Sequence, residues 1–209
     1  MKDRWDAIWR KLRAHTMPHD VFEELISAYS SPNRFYHNLT HIEDCLSLFE
    51  QAKFLAAHPE ELELAIWFHD AVYDTRKSDN EQKSAKWAEA VISQAGLTKE
   101  IAERVSHSIL ATRHNMEVTD SDAQVLVDVD LSILGREPHI FWRYEKNIRK
   151  EYAWVPEDLF RQKRIEVLRG LLGRRSIYYH EEYREQYESR ARVNVEQAIE
   201  LLSDATKAA

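Results

Sequence analysis

The sequence contains very few of the residues that interrupt helices or crosslink a chain. Among its 209 residues are four glycines, five prolines and one cysteine, Cys45. A single cysteine excludes a disulfide framework and a cysteine-based zinc site within one chain. Because glycine and proline are scarce and alternating Val, Ile and Thr runs are missing, the sequence predicts an almost wholly helical protein.

Long apolar runs are missing as well. The amino-terminal segment MKDRWDAIWRKL is charged throughout, so it contains no signal-peptide core. No stretch approaches the roughly 18 consecutive apolar residues that are typical of a membrane helix. We therefore expect a soluble, cytoplasmic protein without a membrane partner.

The charge balance is mildly acidic. The chain has 29 Lys and Arg against 36 Asp and Glu, which gives a formal net charge of −7. This balance disfavours non-specific binding to nucleic acid. Basic and aromatic residues alternate in the segment 141–168, but its apolar residues follow helical spacing and glutamates lie between the cations. We therefore expect no nucleic-acid partner.

Apolar residues recur at helical spacing along most of the chain, with no repeat and no linker. The pattern predicts one all-α domain over residues 1–209. We expect a helical core over about 34–175, with the amino-terminal helices of 1–33 and a carboxy-terminal helix over about 181–207 packed on it. Within the core, Pro59 is predicted to start a helix and the segment 114–122 to be a polar loop.

Histidine and aspartate interrupt apolar helix faces at three places in the core. His41 lies near the start of one predicted helix, His69 and Asp70 stand together in AIWFHDAVYD, and Asp128 and Asp130 interrupt VLVDVDLSIL. Burial of an unpaired imidazole or carboxylate is unfavourable by several kcal/mol. A divalent cation would remove this penalty, because it neutralises carboxylates and occupies imidazole lone pairs. Ligands without thiolate favour Mn, Fe, Co, Ni or Mg over structural zinc.

The motifs RFYHNLTHIEDCL, WFHDAVYD, SDNEQKSA and DVDLSILG, in this order, resemble the HD superfamily of metal-dependent phosphohydrolases, and more narrowly a bacterial HD-type subfamily. The resemblance covers about residues 34–175 and implies a helical bundle of the HD-domain type. It also implies one divalent metal ion held by His41, His69, Asp70 and an aspartate of the last motif. For that aspartate we favour Asp128, with Asp130 as the alternative.

A metal ion held by three or four side chains keeps positions for a water molecule and a phosphoryl oxygen. It can lower the pKa of that water from about 15.7 to about 7–9. We predict a phosphatase or phosphodiesterase that acts on a small phosphorylated molecule, for which a nucleotide is one candidate. Asp70 would hold the metal and accept the proton of the water, and His37 or His114 would protonate the leaving oxygen. The candidate phosphate ligands are Arg113, Lys146, Arg149 and Arg164.

Other functions stay open at this point. A non-catalytic HD-type module that senses a nucleotide or a metal would need the same ligands without turnover. A di-iron oxygenase of HD type would need a second metal ion, which His107 and His114 could help to bind. Ferritin-like and zincin sites are excluded, because neither Glu-x-x-His nor His-Glu-x-x-His occurs. The sequence does not determine the substrate or the native metal, and it leaves a homodimer open.

Overall fold

Helices make up most of the chain that the computed structural model describes, which is residues 1–114 and 117–207. No β-strand occurs in these ranges, and the predicted all-α fold class is confirmed. Short 3-10 segments follow α3 and α7, and a π-helical turn precedes α11. The helices are α1 (Lys2–Lys11), α2 (His19–Tyr29), α3 (Leu39–Ala52), α4 (Pro59–Phe68), α5 (Asn80–Gln94), α6 (Lys99–Ala111), α7 (Ser121–Leu131), α8 (Pro138–Glu151), α9 (Glu157–Leu172), α10 (Glu181–Tyr183) and α11 (Ser189–Lys207).

Several helix ends follow from local chemistry. Helix α4 begins at Pro59, as predicted, where the missing N–H of proline does no harm, and two glutamates in its first turn favour the helix dipole. Gly96 follows α5 with a positive φ of 76°, a conformation that glycine adopts readily. The predicted polar loop at 114–122 is shorter than expected, because Ser121 already starts α7. Its residues 115 and 116 lie outside the described ranges.

The chain forms two compact units, Met1–Val129 and Asp130–Ala209. In the first unit, α4 is the central helix: every residue from Glu61 to Phe68 is buried, and α1, α3, α5 and α6 pack against it. Residues 64–68 of this helix are apolar on all sides, a pattern that is stable only inside a protein, and the buried Glu63 is paired with Arg4 and Lys53. None of the helices in the described ranges combines the length and the apolar character that crossing a bilayer requires.

An aromatic cluster attaches the amino-terminal helices to α4. The Trp5 ring lies 5.3 Å from Trp9, 5.5 Å from Trp67 and 6.0 Å from Phe68, and it is 6.2 Å from Phe22 on α2. All three tryptophans are fully buried. Edge-to-face and tilted pairs of this kind add about 0.5–1.5 kcal/mol each beyond the burial of apolar area. The cluster therefore fixes α4 from the side of α1 and α2.

In the second unit, α11 packs against α9 and against the 3-10 segment Ser132–Gly135. The buried Asn194 on α11 donates from Nδ2 to the carbonyls of Leu134 (2.8 Å) and Arg136 (3.0 Å). A Cβ atom at Gly135 would lie 2.5 Å from Cβ of Tyr187, so only glycine fits there. These contacts fix the chain that follows α7 onto the carboxy-terminal helices.

Candidate metal centre

The centre is built at the carboxyl end of α4, where the chain leaves the helix through His69 and Asp70. His69 is 1% exposed, and its backbone N–H still donates to the Ala65 carbonyl at 2.9 Å. Its ring Nδ1 lies 2.8 Å from the carbonyl oxygen of Ile66. Because a carbonyl can only accept, Nδ1 must carry the proton, and Nε2 of the neutral ring keeps its lone pair. The backbone of α4 thus sets the tautomer that a metal ligand needs.

Three potential ligand atoms converge there. Nε2 of His41, in the first turn of α3, lies 3.2 Å from Nε2 of His69. Oδ2 of Asp70 lies 3.2 Å from Nε2 of His69 and 3.6 Å from Nε2 of His41. Bonds of about 2.0–2.2 Å to one ion place neighbouring ligand atoms about 2.8–3.6 Å apart, depending on the coordination angle. The spacing of the three atoms therefore suits a single cation.

Helix α7 supplies the carboxylate of the last motif. Asp130, in its last turn, forms with His41 and His69 a group whose ligand atoms all lie within 4.8 Å of one another. This group of two imidazoles and one carboxylate could hold a metal ion. Asp128 is fully buried on the same helix. Positions two apart on an α-helix point about 200° apart around its axis, so the two aspartates leave α7 on nearly opposite sides.

A hydroxyl from α2 holds the last turn of α4, next to His69. The Tyr29 hydroxyl donates to the Trp67 carbonyl at 3.0 Å. Burial raises the pKa of Tyr29 well above its usual value, and the nearby Asp70 carboxylate raises it further. The hydroxyl therefore stays protonated and keeps its role as a donor.

His37 lies beside the centre, in the turn before α3. Its ring is 4.3 Å from the ring of Tyr73 and 6.0 Å from that of His41. The next residue, Asn38, caps α3 by accepting from the N–H of Thr40 at 3.0 Å. The structure thus brings together His37 and the predicted ligands His41, His69 and Asp70.

His107 lies elsewhere, in the wall of a cavity of about 700 Å³ near the amino end of α4. His58 and Glu61 line the same cavity. Arg104 makes two bonds with the Glu61 carboxylate, from Nε at 2.7 Å and from Nη2 at 2.8 Å. His69 stands at the opposite end of α4, eight residues after Glu61, which corresponds to about 12 Å along a helix axis.

Arg113 and His114 follow the end of α6. Arg113 donates from Nη2 to the Ser78 carbonyl at 3.4 Å, and its Nε lies 3.8 Å from the Glu81 carboxylate. It therefore lies against the loop that connects Asp70 to α5. His114 has a positive φ of 56°, a left-handed conformation that histidine adopts less often than glycine.

The other predicted phosphate ligands belong to the second unit. Lys146 is exposed on α8. Arg149 donates to Glu157 at 2.8 Å and to the carbonyl of Tyr152 at 2.7 Å. Arg164 is paired with the Glu145 carboxylate and donates to the Tyr144 hydroxyl at 2.8 Å. Burial alone would lower the pKa of Arg164, but Tyr144 and Glu145 raise it above its usual value. Both guanidinium groups thus already have partners in this unit.

Two further side chains hold the backbone around the centre, Arg34 and Ser84. Ser84 Oγ accepts from the Val72 N–H at 3.0 Å and donates to the Val72 carbonyl at 3.4 Å. The sequence pattern did not predict a role at the site for either residue. The signal that could have pointed to them is their place inside the motifs RFYHNLTHIEDCL and SDNEQKSA.

Comparison of the chain with protein-family models, with characterised proteins and with solved structures gave no match. The resemblance to HD-type phosphohydrolases therefore stays a prediction from the sequence motifs. The candidate metal centre is defined by the positions of His41, His69, Asp70 and Asp130 in this chain.

Proposed function

We propose that this protein is a metal-dependent phosphohydrolase of the HD type, a phosphatase or phosphodiesterase that acts on a small phosphorylated molecule. One observation carries the proposal: Nε2 of His41, Nε2 of His69 and Oδ2 of Asp70 lie 3.2–3.6 Å from one another. These are the distances expected between neighbouring ligands of one divalent ion. We further propose that the protein acts in the cytoplasm, without a nucleic-acid or membrane partner.

His41, His69, Asp70 and Asp130 would hold the cation. When bound, the cation would supply a water of lowered pKa and positive charge for the phosphoryl oxygens. We choose Asp130 over Asp128 because Asp130 shares a group with the two histidines. Mn, Fe, Co, Ni and Mg remain the candidate metals, since imidazole and carboxylate ligands suit all of them.

The side chains around the cation would divide the remaining work. Asp70 is 18% exposed, against 1% and 3% for the side chains of His69 and His41, so water reaches its carboxylate more easily. Asp70 would accept the proton of the attacking water. His37, beside His41, would donate a proton to the leaving oxygen. Arg113, anchored against the loop that follows Asp70, would contact the phosphate.

The proposal is tested on metal-free protein prepared with EDTA. Calorimetric titration with Mn²⁺, Ni²⁺ and Mg²⁺ measures cation binding, and nitrophenol release from mono- and bis-(p-nitrophenyl) phosphate measures hydrolysis. We expect one ion per chain for the wild type and for the control His139→Gln, whose histidine is exposed on α8. His69→Gln should weaken binding by at least about tenfold and abolish hydrolysis.

Three other outcomes have defined meanings. A wild-type protein that binds none of the cations contradicts the proposal. Binding without hydrolysis of these esters or of a nucleotide panel contradicts the enzymatic part and supports a sensing module. Two ions per chain would support a binuclear centre, with a role for a further histidine such as His114.

A further inference from the structure

The turn after α4, which carries the proposed ligands His69 and Asp70, contains backbone carbonyls that lie beyond the helix. A helix end leaves carbonyl groups without partners inside the helix, and buried carbonyls need a donor. After α4 the chain turns through Phe68–Val72. The Phe68 carbonyl accepts from the N–H of Ala71 at 2.9 Å. The carbonyls of Asp70 and Ala71 come after the helix, and both accept from a side chain of another segment.

That side chain is Arg34. Its Nη1 donates to the Asp70 carbonyl at 2.6 Å, and its Nη2 donates to the Ala71 carbonyl at 2.8 Å. The same Nη1 also donates to the His37 carbonyl at 3.1 Å. One guanidinium thus bonds to the turn that carries His69 and Asp70 and to the turn that leads into α3 and His41.

Two aromatic rings hold the guanidinium in this position. Its central carbon lies 5.0 Å from the ring of Tyr29 and 5.4 Å from the ring of Tyr73. Contacts with aromatic faces stabilise a partly desolvated cation. Tyr29 also bonds to the Trp67 carbonyl, so the side chain that orients Arg34 holds α4 as well.

We infer that Arg34 is a positioning residue of the metal centre, which sets the separation between His41 on α3 and the His69–Asp70 pair after α4. This inference rests on the proposed function. A metal centre needs its ligand distances correct to within about 0.2 Å. A guanidinium meets three carbonyls at once because its donors are fixed in a planar fork, which the single ammonium of lysine cannot reproduce.

The test compares Arg34→Lys with the control Arg143→Lys, an exposed arginine on α8. Each metal-free variant is melted to establish that it folds. It is then titrated with Mn²⁺, and the Co²⁺ form is measured by visible absorption, which reports coordination geometry. We expect Arg34→Lys to weaken Mn²⁺ binding by about 10–100-fold and to change the Co²⁺ spectrum. Arg143→Lys should match the wild type in both measurements.

A second pair of variants covers the case in which Arg34→Lys does not fold. Tyr73→Phe keeps the ring face against the guanidinium, whereas Tyr73→Leu removes it. We expect Tyr73→Leu to weaken Mn²⁺ binding more than Tyr73→Phe does, and by less than Arg34→Lys, because only Tyr73→Leu removes the ring face.

The outcomes separate the two proposals. Wild-type affinity and an unchanged Co²⁺ spectrum in Arg34→Lys would overturn the role of Arg34, while the proposed function would stand. Equal Mn²⁺ affinities for Tyr73→Leu and Tyr73→Phe would overturn it too, if only that pair folds. A wild-type protein that binds neither Mn²⁺ nor Co²⁺ would overturn both proposals.

Discussion

Asp122 should stabilise the amino end of α4, the end remote from the candidate metal centre. Its carboxylate accepts from the backbone N–H of Ala57 at 2.7 Å and from that of His58 at 2.8 Å. Asp122 is 9% exposed, and its negative charge lies close to the positive end of the helix dipole. Asp122→Ala would remove both acceptors from two N–H groups that precede the helix.

The expected loss follows from these contacts. Hydrogen bonds to a charged group contribute about 1.5–3 kcal/mol each, which would give about 3–6 kcal/mol for two. Ala57 and His58 also line the cavity of about 700 Å³, so water can reach their N–H groups once the carboxylate is gone. This solvation lowers the loss, and we expect about 2–3 kcal/mol. For a chain of this length that corresponds to a fall in Tm of about 4–12 °C. Asp122→Asn keeps one acceptor oxygen and should lose about half as much.

Urea denaturation of metal-free protein measures the change in unfolding free energy, with Asp44→Ala as the control because Asp44 is exposed on α3. Mn²⁺ affinity should stay within about twofold of the wild type, since the ligands lie at the other end of α4. A loss below about 0.5 kcal/mol, the range of ordinary surface substitutions, would refute this account of the α4 start.

Three further predictions concern α7 and the second unit. Asp130→Asn should weaken Mn²⁺ binding, measured by calorimetry, by at least about tenfold. Asp128→Asn should lower Tm and leave Mn²⁺ binding unchanged. The reverse result would assign the ligand role to Asp128. Glu145→Gln should lower the unfolding free energy by about 3 kcal/mol, because it leaves the Arg164 charge buried without its carboxylate; a change below about 1 kcal/mol in urea denaturation would contradict this. Burial alone would raise the pKa of Glu188, but hydrogen bonds from the Ile177 N–H, the Ser176 hydroxyl, the Tyr178 N–H and Arg192 lower it below its usual value. A carboxyl group whose pKa is lower in the folded state stabilises the folded protein above its unfolded pKa, and this stabilisation is lost as the pH falls through the folded pKa. Glu188→Gln should therefore flatten the loss of stability below about pH 4.5. An unchanged acid limb in pH-dependent melting would argue against it.

Sequence patterns predicted the helices well, because helix formation depends on neighbours a few residues apart. Scarce glycine and proline, apolar residues at helical spacing and Pro59 at a helix start all act locally. For the same reason, polar residues on apolar helix faces could be recognised from the sequence as candidates for a polar site. A histidine and an aspartate that continue an apolar helix need partners wherever that helix packs, so the sequence alone predicted that His69 and Asp70 meet other polar side chains.

Which partners they meet was decided by the tertiary structure. The pattern VLVDVDLSIL offers two aspartates on nearly opposite sides of one helix, and only the placement of α7 puts Asp130 in a group with the histidines. Likewise, the sequence could not show which basic side chains are available to a phosphate and which are already paired, as Arg164 is with Glu145. Arg34 reaches carbonyls 36 and 37 residues further along the chain. Local periodicity predicts how a segment folds, but the rotation of each helix and the distances across the core depend on contacts that no short window of sequence contains.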